Sequence, residues 1–495
     1  MNLKQLFNRK DILFLFFLLV IFLFSRLVNL LALPIFTDEA IYMRWAQIGF
    51  HDASFRFISL TDGKQPMLIW LTIIFMRFLH DPLLSGRLVS VLAGFFGMLG
   101  CFFVGWEIFK KKTIGYFSAL LYILSPFFLW HDRMALMDSL LACLFIWSIF
   151  LEVLLVRRVR LDIALILGLT IGGAILTKTS GFFAIYLMPL MLLLFDYKKG
   201  LREFVKLIGL LLISLILANG LYGILRLSPW FYIINQKDHS FIYTFSEVLL
   251  NPFQVFFGNL HGLSQWWWGY FTISFFLLLL VGLINKSKNY LLERLILFLL
   301  FLLPFTALAM FGKVLYPRFI LFMVISLLPL SAYGLNLILE KNKTKIIRFF
   351  ILLILLYPLY FDSQIIFNVI NSPLPISDRK QYLDEWPSGY GVNEVIDYLK
   401  NEKNKQPIFV ATEGTFGLFP YSLELEFSSD PAIKIKGFWP LPCQEKLKNE
   451  AEGRPAYLIL KESQELPTCL NAQLINQYKR GKGDTFLKFF RLTNN

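Results

Sequence analysis

Asp38 and Glu39 stand side by side in IFTDEAIYMRW (35–45), just after an apolar stretch from Ile12 to Leu33. Adjacent carboxylates at the mouth of a membrane span are costly unless water, a cation or chemistry holds them there. A third acid, Asp138, closes HDRMALMD (131–138) at the start of another apolar run. Acids at such depth are candidates for general-base or positioning work. Asp138 equally fits a cap-region charge favoured by the helix dipole, and any of the three fits pairing with an Arg.

Single basic residues lie next to further span ends: Lys64 in DGKQP (62–66), Arg133, Lys178 in TKTSG (177–181) and Arg318 in GKVLYPR (312–318). Cations converging at this depth suit an anionic headgroup such as a phosphate, Arg offering a planar fork and Lys a point charge. Taken one by one, each also fits a snorkelling anchor at a helix end.

The elements that must position these residues are membrane spans. Of 495 residues, 57% are hydrophobic, and apolar runs of about 20 residues recur from residue 11 to 362, which excludes an ordinary soluble domain. The net charge of +14 is not one patch, so nucleic acid is not a partner. It comes as short clusters between apolar runs: NRK (8–10), KKK (110–112), RRVR (157–160), KKGLREFVK (198–206), NKSK (285–288) and KNKTKIIR (341–348). Placing every cluster on the cytoplasmic side predicts eleven crossings. They fall near 11–33, 88–109, 114–130, 139–156, 161–177, 182–196, 207–226, 268–284, 294–311, 319–338 and 346–362, with the N-terminus cytoplasmic in a cell (plasma) membrane. The apolar segment at 66–79 is too short to span and is expected to be amphipathic or re-entrant at the outer interface. WWW (266–268) fits an interfacial aromatic belt.

The composition divides the chain into a transmembrane domain, 1–362, and a soluble extracytoplasmic domain, 363–495. In the second, residues 371–391 read as linker and loop. NEVIDYLKNEK has helical spacing, and PIFVATEG, AIKIKGFW, AYLILKES and FLKFFRLT read as strands, giving an α/β or α+β fold. Cys101 and Cys143 lie within spans as packing residues. Cys443 and Cys469 share the tail and can form one disulfide if it faces an oxidising compartment.

TDEA, KQP, R-M-A-L-M-D-S, TKTSG and YPRF, in this order and on one side of the membrane, resemble the GT-C glycosyltransferases related to protein O-mannosyltransferases and aminoarabinose transferases. The resemblance covers roughly residues 1–340. It implies a polytopic helical enzyme that takes a sugar from a polyprenyl phosphate and passes it to a protein, lipid or glycan acceptor at the outer face. It further implies that Asp38 is the general base with Glu39 as its partner, that Asp138 is the second-loop acid, and that Lys64 and Arg318 meet the lipid phosphate. Gly63 precedes Lys64 where an acid would stand, and Phe319 departs from the family's Arg-Tyr pair.

Elementary chemistry agrees with that picture. A sugar phosphate ester has a good leaving group, so cations that stabilise the departing phosphate and one carboxylate that takes the acceptor's proton suffice for a single inverting displacement. No cofactor is required. The His-Asp pairs at 51–52 and 131–132 make His51 and His131 candidate ligands of a divalent metal. P-loop, GxGxxG and HExxH motifs are missing, so nucleotide and zinc-protease chemistry have no support. The alternative function is a transporter or flippase of lipid-linked sugars, which would place charge near the midplane and show repeated halves.

Overall fold

The computed structural model describes residues 8–286, 288–341 and 344–493. The first seven residues and parts of the basic clusters at 285–288 and 341–348 lie outside the described residues. The chain forms two compact units, neither continuous in sequence. The first comprises Met1–Leu30, Phe57–Leu68 and Arg87–Asn368; the second comprises Leu31–Arg56, Ile69–Gly86 and Val369–Asn495.

The first unit is helical, and each stretch expected to span the membrane lies in helix or in helix mixed with 3-10 turns. Six helices are long and apolar enough to cross: Pro82–Phe109, Met137–Arg158, Leu201–Leu227, Phe256–Ile284, Leu291–Phe311 and Lys345–Phe367. Two bent pairs, Lys112–Ile123 with Pro126–Asp132 (63°) and Pro317–Val324 with Leu327–Lys341 (56°), raise the number to eight. The first bend falls at Pro126 and the second just before Pro329, where the backbone ladder is interrupted. Of the other expected crossings, Arg9–Leu27 carries Arg9, Lys10, Asp11 and Arg26, while Leu161–Thr177 and Thr179–Leu194 are short. Among the described residues, length and composition therefore give six to eight spans and do not confirm the expected eleven. The segment at 66–79 is a ten-residue helix, Met67–Met76, that is apolar all round except for Thr72 rather than amphipathic. Trp267 packs against Phe271, Phe276, Phe301 and Phe305, and Trp268 is exposed, so the WWW run divides between packing and surface.

The basic clusters of this unit meet one another. Lys112 pairs with Asp11 (3.4 Å), Lys111 with Glu340 (2.8 Å) and Arg157 with Glu107 (2.9 Å), while Lys199 donates to the Arg157 carbonyl (2.6 Å). These contacts tie the cations of three basic segments to one another or to the acids Asp11 and Glu340, which flank two more.

The second unit is built on a five-stranded sheet: β1 (Ile408–Glu413), β2 (Ile433–Phe438), β3 (Ala456–Leu460), β4 (Ala472–Lys479) and β5 (Phe486–Leu492), in the order β2-β1-β3-β5-β4. β1 pairs in parallel with β2 and β3, and β5 is antiparallel to both β3 and β4. β1 is buried at every position, as a parallel strand covered on both faces must be. Alternate residues serve opposite faces. Ile408 and Val410 meet Val395, Leu399, Leu423 and Phe427, whereas Phe409 and Ala411 meet Leu447 and Ala451. Ile35 and Ala40 join the first of these cores.

Helix Thr37–His51 therefore belongs to this unit. It lies against helix Leu418–Phe427, with Arg44 paired to Glu424 (2.8 Å) and Gln47 donating to the Leu425 carbonyl (3.0 Å). Residues 371–391 are more than a linker. They hold helix Ile376–Arg379 and buried Tyr382 and Leu383, and Phe36 forms a bridge with Ser388. Cys443 and Cys469 are disulfide-bonded across 26 residues, and Cys101 and Cys143 are buried and free.

Candidate functional site

HDRMALMD supplies four charged or titratable side chains, and the structure gives them three different tasks. Asp132 is fully buried against Arg26 (3.3 Å) and accepts from the Tyr122 hydroxyl (3.1 Å) and the Ser139 hydroxyl (2.9 Å). Arg133 was expected to bind lipid phosphate. Its guanidinium instead donates to the carbonyls of Ser25 (2.9 Å), Arg26 (3.1 Å), Val28 (2.8 Å) and Asn29 (2.9 Å), closing the end of helix Arg9–Leu27. Those carbonyls have no intrahelical partner, and in an apolar surround a cation is a strong donor to them.

His131 and Asp138 form the third group. Asp138 lies in the first turn of Met137–Arg158, and its Oδ1 accepts from Lys178 Nζ at 2.7 Å. Lys178 and Arg318 are the cations that act on Asp138, His131 lies beside it, and the same two cations act on His131. Aromatic rings back both cations: Lys178 Nζ stands 4.2 Å from the Phe319 ring centre and the Arg318 guanidinium 5.3 Å from that of Tyr316. Rings with polarised faces hold cations without neutralising them. Gly181 fixes the turn that carries Lys178, because a Cβ there would lie 2.3 Å from the Ala174 carbonyl. The positions TKTSG, YPRF and HDRMALMD thus meet in one cluster, in which Asp138 and Arg318 are buried and Lys178 is partly buried.

Lys64 sits in a neighbouring arrangement within the same unit. Its ammonium is 4.9 Å from the Phe241 ring centre. The adjacent Gln65 donates to Thr179 Oγ1 (2.7 Å), which donates to Asp238 Oδ1 (3.1 Å). Lys64 and His239 act electrostatically on Asp238. Burial is the largest influence on Asp238 and holds its carboxyl above the usual carboxylate range. Nearby, Lys237 pairs with Asp62 (2.6 Å). Sequence reasoning left helix Ile233–Phe241 unassigned; its signal was the charged run NQKDHS (235–240) in an otherwise apolar chain.

Asp38 and Glu39 belong to the second unit. Glu39 is fully buried and accepts from the Phe36 N–H (3.0 Å), so it caps helix Thr37–His51. Asp38, one position earlier in the first turn, is only partly buried.

A metal site does not fit these residues. Among the described residues no three His, Cys, Asp or Glu side chains group as metal ligands. His131 shares its surroundings with Lys178 and Arg318, whose charges repel a divalent cation, and His51 is exposed with its ring against Phe50.

Residues 63–222 match the model of the dolichyl-phosphate-mannose-protein mannosyltransferase family, a stretch that includes Lys64, Asp138 and Lys178. No curated protein matches the chain. Two crystal structures of ArnT from Cupriavidus metallidurans superpose on it. The one bound to undecaprenyl phosphate has a TM-score of 0.55 at 13% identity over 98% of both chains. The apo form has 0.56 at 14% identity over 97% of both. The chain is a membrane protein with the fold of these ArnT structures along nearly its whole length, and over residues 63–222 it carries the sequence pattern of that mannosyltransferase family.

Proposed function

We propose that this chain is a membrane glycosyltransferase that moves a sugar from a polyprenyl-phosphate donor to an acceptor at the outer face, by one inverting displacement. The observation that carries the reading is the grouping of partly buried Lys178 and buried Arg318 around Asp138. Cations held beside a carboxylate in this way suit a phosphate whose negative charge grows as the sugar departs. Asp138 holds the Lys178 ammonium in place, and His131 lines the same group. Lys64 adds a further cation from the same unit. The family match over residues 63–222 and the fold shared with a protein crystallised with undecaprenyl phosphate both favour a lipid-linked sugar as donor.

The remaining need is a base for the acceptor's proton, and Asp38 in the TDEA motif takes that role. Its helix is held by Glu39 at its start and by Arg44–Glu424 along its length, so the carboxylate sits on a rigid element. The gathered basic clusters favour a cytoplasmic end for the first unit, and the Cys443–Cys469 disulfide favours an extracytoplasmic second unit.

The test uses the purified full chain in detergent with a radiolabelled polyprenyl-phosphate hexose or pentose, and membranes lacking the chain as acceptor source. Transfer of label should occur and should fall about 100-fold or more in Asp38→Asn, the loss of one positioned base. A flippase of lipid-linked sugars gives no transfer in detergent, where no bilayer separates two sides, and that result would overturn the reading.

A further inference from the structure

The second unit contains a cluster that the transfer reaction does not use. At one edge of its sheet lie the carboxyl ends of β1, β2, β3 and β4 and the start of β5. The chain leaves β1 for β2 on one side, then returns to β3 on the other, so the crevice between β1 and β3 is a topological switch point. Open α/β sheets offer ligand sites at such crevices.

Three buried charged residues converge there. Glu413 ends β1 and is fully buried; its carboxylate accepts from the N–H groups of Lys461 (2.7 Å), Glu462 (2.8 Å) and Ser463 (3.1 Å), and from the Ser463 hydroxyl. Glu413 therefore holds the loop after β3 and has little acceptor capacity left. Arg480, just after β4, is also fully buried, and Nη1 donates to the Phe486 carbonyl (3.0 Å). Among the described residues, its Nε and Nη2 have no hydrogen-bond partner. These two nitrogens form the side-on edge of the guanidinium, whose parallel N–H bonds match two oxygens of one oxyanion.

Lys461 is the second cation. It is 7% exposed, its ammonium lies 4.6 Å from the Trp386 ring centre, and Glu413, Glu462 and Arg480 act on it electrostatically. Gly414 makes room: its φ of +100° disfavours a side chain, and a Cβ there would come within 3.1 Å of Lys461 Nζ. Glu462 is exposed and screened by water, so the buried balance is two cations to one carboxylate. Burial pulls both cations down, Arg480 to about 10, as befits a charge lacking a full counter-ion.

We infer that the second unit has a ligand site of its own at the β1–β3 crevice, where Arg480 and Lys461 take the oxyanion of a phosphate or carboxylate group. Arg480 supplies the bidentate edge, Lys461 the point charge, and Glu413 sets the loop that carries Lys461. The ligand is a free anion or the headgroup of an anionic lipid, which share this chemistry.

The full chain in nanodiscs of zwitterionic lipid is titrated with inorganic phosphate, and separately with acetate, at ionic strength held constant with chloride. Hydrogen exchange of segments 413–417 and 461–464 is followed by mass spectrometry. Phosphate or acetate should slow exchange in both segments, whereas chloride should not. In nanodiscs containing phosphatidic acid, protection without added anion identifies the lipid as the source. Arg480→Lys keeps the charge but loses the fork, and should weaken the apparent affinity by about tenfold or more. Lys461→Met should do likewise, and unchanged exchange in β5 shows that either variant is folded. The inference fails if no anion protects these segments, or if the protection persists undiminished in both variants. Neither readout depends on sugar transfer.

Discussion

At the scale of single residues, the same residue type divides between holding the fold and meeting a ligand. Lys178 is the residue whose loss should matter most to transfer. Lys178→Met removes one cation from the proposed phosphate site and should slow transfer by about 100- to 1,000-fold, the range seen when one charge-stabilising donor is removed. Asp138→Asn keeps the shape but frees the ammonium, so it should raise the KM for the donor more than it lowers kcat; steady-state kinetics at varied donor concentration separate the two. Asp238 allows a pH test. Its carboxyl is raised on folding, chiefly by burial, with Thr179, Lys64 and His239 opposing. The folded state then binds this proton more tightly than the unfolded chain. Its contribution to stability is complete below the ordinary carboxylate value of about 4 and is lost as pH climbs through the raised folded value. Asp238→Asn should remove that decline, so its melting temperature should fall less than the wild type's over this interval.

At the scale of elements, the apolar runs and turn residues placed nearly every helix of the first unit and four of the five strands of the second. β4 escaped because it is an edge strand, mostly exposed along both faces, and AQLINQYK has no clean alternation. Arg133 shows why motif position alone cannot assign a role. A cation beside a span end looks the same in sequence whether it meets a phosphate or closes a helix, and only the fold brings four carbonyls to it. Arg133→Met should thus destabilise the first unit by about 3 kcal/mol, since buried carbonyls lose a charged donor. It should lower yield and melting temperature while leaving the donor KM of the surviving protein unchanged. The opposite pattern, normal stability with a raised KM, would return Arg133 to the phosphate site. Glu39 teaches the same lesson, because an acid three residues past an N-cap is also a capping signal, and its full burial marks it as one.

At the scale of the whole molecule, composition marks a change near residue 363, yet the second unit also takes in residues 31–56 and 69–86. This was not legible, because it depends on Ile35 and Ala40 entering a core whose other members lie more than 350 residues away. The consequence concerns the tail. An isolated 15-residue helix is marginal in water, so Thr37–His51 depends on its partners. They include the Pro387 carbonyl on the Thr37 N–H (3.0 Å), the Tyr382 ring against Phe36, Glu424 on Arg44 and the Leu425 carbonyl on Gln47, four contacts that come from beyond residue 368. A chain ending at Asn368 should therefore lose the order of the helix that carries Asp38, and with it the transfer reaction, instead of merely changing its choice of acceptor. Limited proteolysis should cut within 37–51 in the truncated chain and not in the full one. Arg44→Ala, which removes one partly buried ion pair worth about 1 kcal/mol, should leave the helix protected and most of the activity intact. If the truncated chain keeps helix 37–51 resistant and transfers sugar at the full rate, the tail is a separable module and the helix draws its stability from elsewhere.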